Sequence, residues 1–273
     1  MFSLPESVND LAGRVQAGDR AALEQLLAAV REPIYGLAIR MVGDPDDAAD
    51  AVQEILIRIA RHIRTFRGDS KLSTWVFRIA ANQLSTTRRR RAEAGADGGF
   101  AQAAAQLEAA LAASAGRTSD DQLLVEEVKL FCTHGMLLCL DREHRLAYIL
   151  GEILALSGDE GAAILEVSAE AFRKRLSRAR EAIESFVRAR CGLVSAEVPC
   201  RCAKLVAPSI DMGLVDPARL RFARHPTRDR AAGLRRQVDG LTSAAAVFRS
   251  HPDYAAPPAF AAALRDLLAD VAP

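Results

Sequence analysis

Apolar residues recur at helical spacing along most of this chain, most clearly in the stretch DPDDAADAVQEILIRIARHI. Five of them are three or four positions apart, as on the buried side of a helix: Ala48, Val52, Ile55, Ile59 and Ile63. Asp44 can cap this helix and Pro45 suits its first turn. Runs with the period of two that strands require are few, so the pattern predicts an all-α fold.

The helical patterns group into four segments. Residues 8–91 are predicted to form a first helical domain and residues 121–190 a second. Residues 92–120, rich in Ala and Gly, are predicted to be a flexible linker with a marginal helix inside it. Residues 191–273 form a mostly helical C-terminal extension that contains prolines and cysteines. We therefore expect two helical domains, a linker and an extension.

The composition fits a folded, modular protein. The chain has 273 residues, of which 50% are apolar and 26% charged. No stretch approaches the ~18 apolar residues of a membrane span, and the start, MFSLPESVND, lacks a secretory signature. An odd number of cysteines, unevenly spaced, fits a reducing compartment better than a disulfide framework. These features predict a cytoplasmic protein.

The charges are segregated along the sequence although the formal net charge is only +1. Five acidic residues and no basic residue lie between Asp44 and Glu54, whereas residues 88–91 and 173–190 are strongly basic. Such segregation indicates one surface that meets another protein and others that meet nucleic acid.

The second domain contains the pattern of a helix-turn-helix unit. A helix ending near Leu156 is followed by a short helix over residues 159–165, a turn at residues 166–168, and a basic helix that Ser168 can cap. The exposed face of the basic helix carries side chains suited to base edges and phosphates: Arg173, Lys174, Ser177 and Arg178. A surface-charged helix of an ordinary bundle stays open as the alternative.

The only tryptophan lies in STWVFRIAANQLSTTRRRR, which predicts one helix over residues 73–91. Trp75 shares the polar side of this helix with Arg78 and Asn82, so its indole could act as a platform for an unstacked base. The arginine run would attract phosphates. A tryptophan that packs in the core or at a domain interface is the alternative.

Taken together, the two domains resemble a known family. The stretches DDAADAVQEILIRIARHIRTFRGDSKLSTWVFRIAANQLSTTRRRR and, after the linker, DREHRLAYILGEI and RKRLSRAREAI resemble the extracytoplasmic-function sigma factors, the smallest promoter-specificity subunits of bacterial RNA polymerase. The resemblance covers residues 8–190 and implies that the first domain reads and melts the minus-ten element while the second reads the minus-thirty-five element. It implies core RNA polymerase and promoter DNA, both duplex and melted, as partners. An anti-sigma factor is left open as a further partner.

The resemblance also implies roles for individual residues. The acidic face would bind the largest polymerase subunits through Asp47, Asp50, Gln53 and Glu54. The loop that receives a flipped base and the helix after it would contact the minus-ten element through Lys71, Ser73, Thr74, Trp75, Arg78, Asn82, Arg88 and Arg89. The minus-thirty-five element would be read by Arg173, Lys174, Ser177 and Arg178.

Three features depart from the family pattern. Glu166 stands in the turn where relatives usually have Gly, and Gly161 stands at a usually apolar position. Arg173 and Lys174, with Phe172 before them, stand where small or β-branched residues are more common. The preferred promoter sequence therefore cannot be transferred from relatives.

The extension distinguishes this chain from a minimal family member. Cys191, Cys200 and Cys202 lie close together in it, and Cys132 and Cys139 precede them, so we considered a zinc site and a redox switch beside plain buried thiols and predict no bound metal or cofactor. Our hypothesis is that the extension folds back on the second domain and regulates promoter access.

Two other classes of protein fit the sequence less well. A conventional helix-turn-helix regulator that acts without polymerase would explain the second domain, but neither the acidic face nor the Trp75 loop. The sequence has no nucleophile with a neighbouring base, no phosphate-binding Gly loop and no paired-carboxylate motif, so we do not expect an enzyme.

Overall fold

The protein is all-α, as predicted, in a computed structural model that describes residues 7–87, 91–222, 243–251, 254 and 256. Helices and no strand occur within those ranges. The helices are α1 (Ser7–Gln16), α2 (Arg20–Val42), α3 (Pro45–His62), α4 (Leu72–Thr86), α5 (Arg91–Ala94), α6 (Gly99–Ala113), α7 (Gln122–Leu138), α8 (Arg142–Tyr148), α9 (Gly158–Leu165), α10 (Ala169–Arg190), α11 (Cys202–Asp211) and α12 (Ala244–Arg249). Across these ranges, no helix has the length and apolar character needed to cross a membrane.

Helices α1 to α4 pack together as the first bundle, and α3 has the predicted form. The side chain of Asp44 accepts hydrogen bonds from the backbone N–H groups of Asp46 and Asp47, and Pro45 occupies the first turn. The apolar stripe from Ala48 to Ile63 is buried against the other helices of the bundle. Its burial leaves the acidic side of α3 facing outward.

Helix α4 ends earlier than the sequence pattern predicts. We expected one helix over residues 73–91, but α4 stops at Thr86 and Thr87 has an extended backbone. The hydroxyls of Ser85, Thr86 and Thr87 donate to the carbonyls one turn back, and such local hydrogen bonds compete with continued helix. Arg91 then begins the separate short helix α5.

The predicted linker contains a regular helix. Helix α6 spans 15 residues within the segment 92–120 and packs against α7, α10 and α11. Phe100 near its start lies 5.3 Å from the ring of Phe186 on α10. The expectation of a helix inside the linker is therefore confirmed, and this helix is attached to the second bundle, which α7 to α10 form, and to the extension.

The helix-turn-helix unit is present as predicted. Helix α8 continues as a π-helical turn, Ile149–Ile153, before α9 begins with a capping box in which Ser157 and Glu160 satisfy each other's backbone N–H groups. Glu166 in the turn has a φ of 53°, the left-handed conformation that Gly adopts most easily. Ser168 then caps α10 by accepting a hydrogen bond from the backbone N–H of Ala171. The conformation at Glu166 explains why Gly suits this position in relatives.

The extension contacts both bundles. Helix α11 packs on α7 and α6, where Leu205 and Val206 are buried in a small apolar cluster with Ala110, Val128, Cys200 and Val215. Farther along, α12 packs on α10 and on the π-helical turn, and Phe248 is fully buried there. The stretch LTSAAAVFRSHPDYAAPPAFAAALRDLLADV predicts two short helices whose apolar residues pack inward, and Phe248 agrees with that prediction. The other apolar residues of this prediction, Phe260, Leu264 and Leu267, lie outside the described residues.

The two bundles share one continuous apolar core and a buried ion cluster between them. Arg145 of α8, 2% exposed, donates to Glu93 at 2.9 Å and to the backbone carbonyl of Met41 at the end of α2. Arg142 pairs with the same carboxylate at 2.6 Å. Burial raises the pKa of Glu93, but the hydrogen bonds and charges of Arg142 and Arg145 outweigh burial, so the pKa is lowered overall.

Candidate nucleic-acid interface

The loop before α4 is supported from behind by Trp75. Its half-buried indole lies 5.7 Å from the ring of Phe66 with the two planes tilted by 59°. Gln16 of α1 donates a side-chain hydrogen bond to the carbonyl of Phe66, which fixes the other side of the loop. Both contacts hold the loop of residues 66–71 against the first bundle, so the packing alternative for Trp75 is realised in this arrangement.

The candidate minus-ten residues differ in accessibility. Lys71 and Asn82 are exposed, whereas Ser73 and Arg78 are partly buried. Thr74 is only 8% exposed and lies in the core below the surface. Arg88 and Arg89 lie outside the described residues.

The exposed edge of α4 is occupied by the helix-turn-helix unit. Arg78 donates from Nη2 and Nε to the carbonyl of Ala163 at 3.0 and 3.2 Å, and its Nη1 lies 3.6 Å from a carboxylate oxygen of Glu166. Asn82 donates to the same carboxylate at 3.3 Å. Lys71 lies 3.4 Å from a carboxylate oxygen of Glu160. The sequence pattern gave no signal for these contacts, because their partners are more than 80 positions apart.

The basic face of α10 is open. Arg173, Lys174, Ser177 and Arg178 are all exposed, and they follow the capped start of the helix within three turns. Lys174 also pairs with Glu170 one turn back at 2.7 Å, a surface contact of little energetic weight. The helix thus presents three cationic side chains and one hydroxyl to the same side, an arrangement that fits a DNA groove.

The acidic face of α3 is accessible over most of its length. Asp50 and Glu54 are exposed, while Asp47 and Gln53 are partly buried. Gln83 of α4 donates a side-chain hydrogen bond to Glu54. At its first turn, this face meets the extension, because Arg221 pairs with the capping residue Asp44.

The cysteines do not form a metal site in the part of the chain that the structure describes, where no group of three potential ligands is assembled. All five thiols are free. Burial raises the pKa of Cys202 to about 12 and of Cys139 to about 11, so these thiols stay protonated near neutral pH. Protonated, buried thiols fit a packing role.

Comparison with known proteins agrees with this architecture. Residues 26–94 match the family model described as Sigma-70 region 2. The RNA polymerase sigma-H factor of Pseudomonas aeruginosa is 32% identical over 180 residues, which cover 66% of this chain and 93% of that protein. The ECF RNA polymerase sigma-E factor of Escherichia coli K12 is 34% identical over 181 residues, or 65% of this chain and 92% of that protein.

A solved structure of CnrH in complex with the cytosolic domain of CnrY is 26% identical to this chain, with a TM-score of 0.47. The match covers 67% of this chain and 99% of the matched chain in that structure. About a third of the present chain has no counterpart in either sigma-factor match. On the strength of the sequence relatives, the chain belongs to the extracytoplasmic-function family of RNA polymerase sigma factors, the bacterial proteins that act with RNA polymerase in transcription initiation.

Proposed function

We propose that this chain is an alternative sigma factor that binds core RNA polymerase, recognises the minus-ten and minus-thirty-five promoter elements and promotes melting of the DNA. The observation that carries the proposal is the open basic face of α10, which follows a capped helix-turn-helix in a chain whose relatives are RNA polymerase sigma factors. The chain acts by binding rather than by catalysis, and its place of action is the cytoplasm. An anti-sigma protein is a further proposed partner.

The two domains have separate roles in binding polymerase and promoter DNA. Residues 8–91 bind polymerase and the minus-ten element, residues 92–120 connect the domains, and residues 121–190 bind the minus-thirty-five element. Residues 191–273 regulate access to the promoter. The capped starts of α3 and α10 support this division, because each cap fixes the orientation of one candidate surface.

The second domain reads duplex DNA through α10. Arg173, Lys174 and Arg178 are long cations that can donate to guanine edges or neutralise phosphates, and Ser177 can donate to either base edges or phosphate oxygens. Their exposure on one side of a single helix supports simultaneous contact with one groove.

The first domain captures the melted strand. A base leaves the stack at a cost of a few kcal/mol, and a pocket in the loop of residues 66–71 can offset that cost. Lys71, Arg78, Arg88 and Arg89 would attract the strand's phosphates, and Asn82 and Ser73 would donate hydrogen bonds. Trp75 holds the loop through Phe66, and Thr74, which is buried, supports the same surface from below.

The acidic face of α3 binds the polymerase. Asp47, Asp50 and Glu54 provide carboxylates on one side of the helix, and Gln53 adds a polar amide beside them. Charge complementarity between such a face and a basic partner raises the rate of association and fixes orientation. Asp50 and Glu54 are both exposed, which supports this use, although one oxygen of Glu54 accepts a hydrogen bond from Gln83.

Run-off transcription with purified core polymerase on a pool of promoter fragments tests the proposal. We expect transcripts only when the chain is present, and fewer transcripts with the double variant Asp50→Ala/Glu54→Ala or with Arg173→Ala/Lys174→Ala. Arg188→Ala on the same α10 is the matched control, because Arg188 is 67% exposed and pairs only with its helical neighbour Glu184 among the contacts described. Tight binding to duplex DNA without polymerase, and no effect on transcription, would overturn the proposal.

A further inference from the structure

The DNA-facing edge of α4 is covered in this arrangement. Three of the side chains proposed to contact the minus-ten element, Lys71, Arg78 and Asn82, already have partners on or beside α9. Melted DNA and α9 therefore cannot occupy this edge together. The covering ion pairs are exposed or half-exposed and contribute at most about 1 kcal/mol each. The shared apolar core and the Glu93 cluster hold the domains together at their centre, and further contacts come from the extension.

The extension supplies such contacts through a set of residues that we call the latch: Arg221, Phe222, Phe248, His251, Tyr254 and Ala256. On the first domain, the backbone N–H of Ala256 donates to Glu32 at 2.6 Å, and the Arg40 guanidinium lies 4.9 Å from the centre of the Tyr254 ring. Arg221 pairs with Asp44 at the start of α3. The latch thus binds α2 and α3.

The latch also binds the second domain. The backbone N–H of Phe222 donates to Glu127 of α7 at 2.9 Å, and His251 shares a hydrogen bond of 2.8 Å with Thr133 of the same helix. Phe248 meets the ring of Tyr148 at 5.5 Å. Because the latch is bound to both domains, their separation requires that it leaves at least one of them.

Two histidines lie at the centre of the latch and are buried together. His134 of α7 is 1% exposed and stacks on Phe222 at 4.6 Å with the planes 11° apart. His251 is 7% exposed, and its ring centre lies 5.6 Å from that of His134. Such close packing leaves little room for water or for a counter-ion.

The hydrogen bonds fit the neutral form of both rings. His134 donates from Nδ1 to the carbonyl of Leu130 at 2.7 Å, and its Nε2 has no partner among the described residues, so a proton on that atom would be buried without an acceptor. Thr133 donates its hydroxyl proton to a backbone carbonyl and therefore accepts from Nε2 of His251. Nδ1 of His251 lies 3.1 Å from the Tyr254 hydroxyl, which can donate to this atom in the neutral ring.

The charges around the pair oppose a proton on either ring. Arg40 of α2 acts on both rings, and Lys129 of α7 acts on His251. Tyr35, Glu126 and Glu127 act on the neighbouring Tyr254 of the latch. Glu126 is paired with Lys129 at 2.8 Å, and Glu127 accepts from the backbone of Arg221 and Phe222. Burial and the nearby Arg40 lower the pKa of His134 to about 4 and lower that of His251 well below its usual value.

We propose that the latch holds this chain in a self-inhibited arrangement and that protonation of His134 and His251 opens it, an inference that rests on the proposed sigma-factor function. The closed arrangement covers α4 against the minus-ten element. Opening exposes both rings to water, frees the edge of α4 and allows the two domains to bind separate promoter elements. A fall in pH is then an activating signal for this chain.

Proton linkage gives the direction in which pH shifts the balance between the closed and open forms. A histidine that binds a proton only in the open form stabilises the closed form above its ordinary pKa and weakens it as the pH falls below that value. Between pH 7.5 and 5.5 the ratio of closed to open molecules falls about tenfold for each such histidine, given an ordinary pKa of about 6.5.

Hydrogen exchange of the full chain tests the latch without transcription. We expect the amides of α12, Ala244–Arg249, to lose about tenfold protection per histidine between pH 7.5 and 5.5, relative to the double variant His134→Asn/His251→Gln at each pH. Asn keeps the donor at the Nδ1 position and Gln keeps the donor at the Nε2 position, and neither titrates. If the double variant fails to fold, His251→Gln alone should remove about half of the pH-dependent change in the logarithm of the protection factor. An equal pH response in the wild-type chain and the variant would overturn the proposal.

Run-off transcription distinguishes a failure of self-inhibition from a failure of the proposed sigma-factor function. At pH 7.5 and limiting concentration, Phe222→Ala and Glu166→Gly should give several-fold more run-off transcript than the wild-type chain, because neither residue is proposed to touch DNA and each loses a closing contact. Gly is the natural choice at 166, where φ is positive. The control Met212→Ala alters an exposed residue of the extension outside the latch and should match wild type. If the wild-type chain is active and the two variants are no more active, self-inhibition is excluded. If neither the wild-type chain nor any variant supports transcription, the proposed sigma-factor function is excluded. The hydrogen-exchange result then still decides whether protonation opens the latch.

Discussion

Gly161 and Phe172 are matched across the helix-turn-helix unit. A Cβ atom at position 161 would lie 2.2 Å from Cζ of the Phe172 ring, which is fully buried. Gly161 and Phe172 each belong to a departure from the family pattern, and they form one structural feature, because the missing side chain on α9 makes room for the large ring on α10. The pair sets how closely α9 approaches α10, and hence how the basic face is presented.

A double-mutant cycle tests this match. Gly161→Ala should destabilise the chain by about 1–3 kcal/mol through overpacking, despite the higher helix propensity of Ala. Phe172→Leu alone should also destabilise it, by opening a cavity, but the double variant should recover part of the loss. Urea denaturation followed by circular dichroism measures all four proteins. Additive losses would contradict a direct contact between the two positions.

The buried cluster at Arg145 gives a second prediction. Arg145→Met should lower the free energy of unfolding by about 3–5 kcal/mol, since it leaves the 1% exposed Glu93 with one cation fewer and several carbonyls without a donor. The matched control is Arg188→Ala, which breaks a surface pair and should cost less than about 1 kcal/mol.

The pH dependence of this cluster has a defined sign. The pKa of Glu93 is lowered, so its contribution to stability is present above the usual range of a glutamate and is lost as the pH falls through the lowered value. Between neutral and acidic pH, Arg145→Met should therefore lose less stability than the wild-type chain. Parallel stability profiles for the two proteins would show that Arg145 does not lower the pKa.

The local structure was predictable where a few neighbouring residues determine it. The stripe from Ala48 to Ile63, the cap at Asp44 and the turn before Ser168 each depend on residues within one helix or turn, and all are confirmed. The predicted end of α4 was wrong. The hydroxyls of Ser85 and its neighbours compete with the helix, and the pattern of apolar residues contains no information about them.

The closed arrangement could not be predicted from the sequence. It depends on contacts between residues far apart, such as Arg78 with Ala163 and Thr133 with His251, which are 85 and 118 positions apart. Each of these residues, taken alone, has an ordinary role as a surface cation or a polar core group. Only the packing of the extension on both domains brings them together, and no period in the sequence encodes that packing.

Salt dependence should report the role of α10. For a complete holoenzyme on duplex minus-thirty-five DNA, the slope of log affinity against log salt should become shallower by about 0.9 for each phosphate contact removed. Arg173→Ala and Lys174→Ala are the variants, and each is compared with Arg188→Ala on the same helix. An unchanged slope together with relaxed base preference would instead assign the residue to base edges.

Trp75 is predicted to act on the melted strand through the loop rather than as an open stacking platform, because its ring faces Phe66. Trp75→Phe keeps an aromatic ring against Phe66 and should leave promoter opening within about twofold of wild type, whereas Trp75→Ala and Phe66→Ala should each lower it several-fold, as expected for an aromatic pair of about 0.5–1.5 kcal/mol. Permanganate reactivity of unpaired thymines at the minus-ten element measures opening directly. A control template with that element already unpaired corrects for losses in binding elsewhere. If Trp75→Ala impairs opening while Phe66→Ala does not, the indole stacks on a base itself rather than acting through the loop.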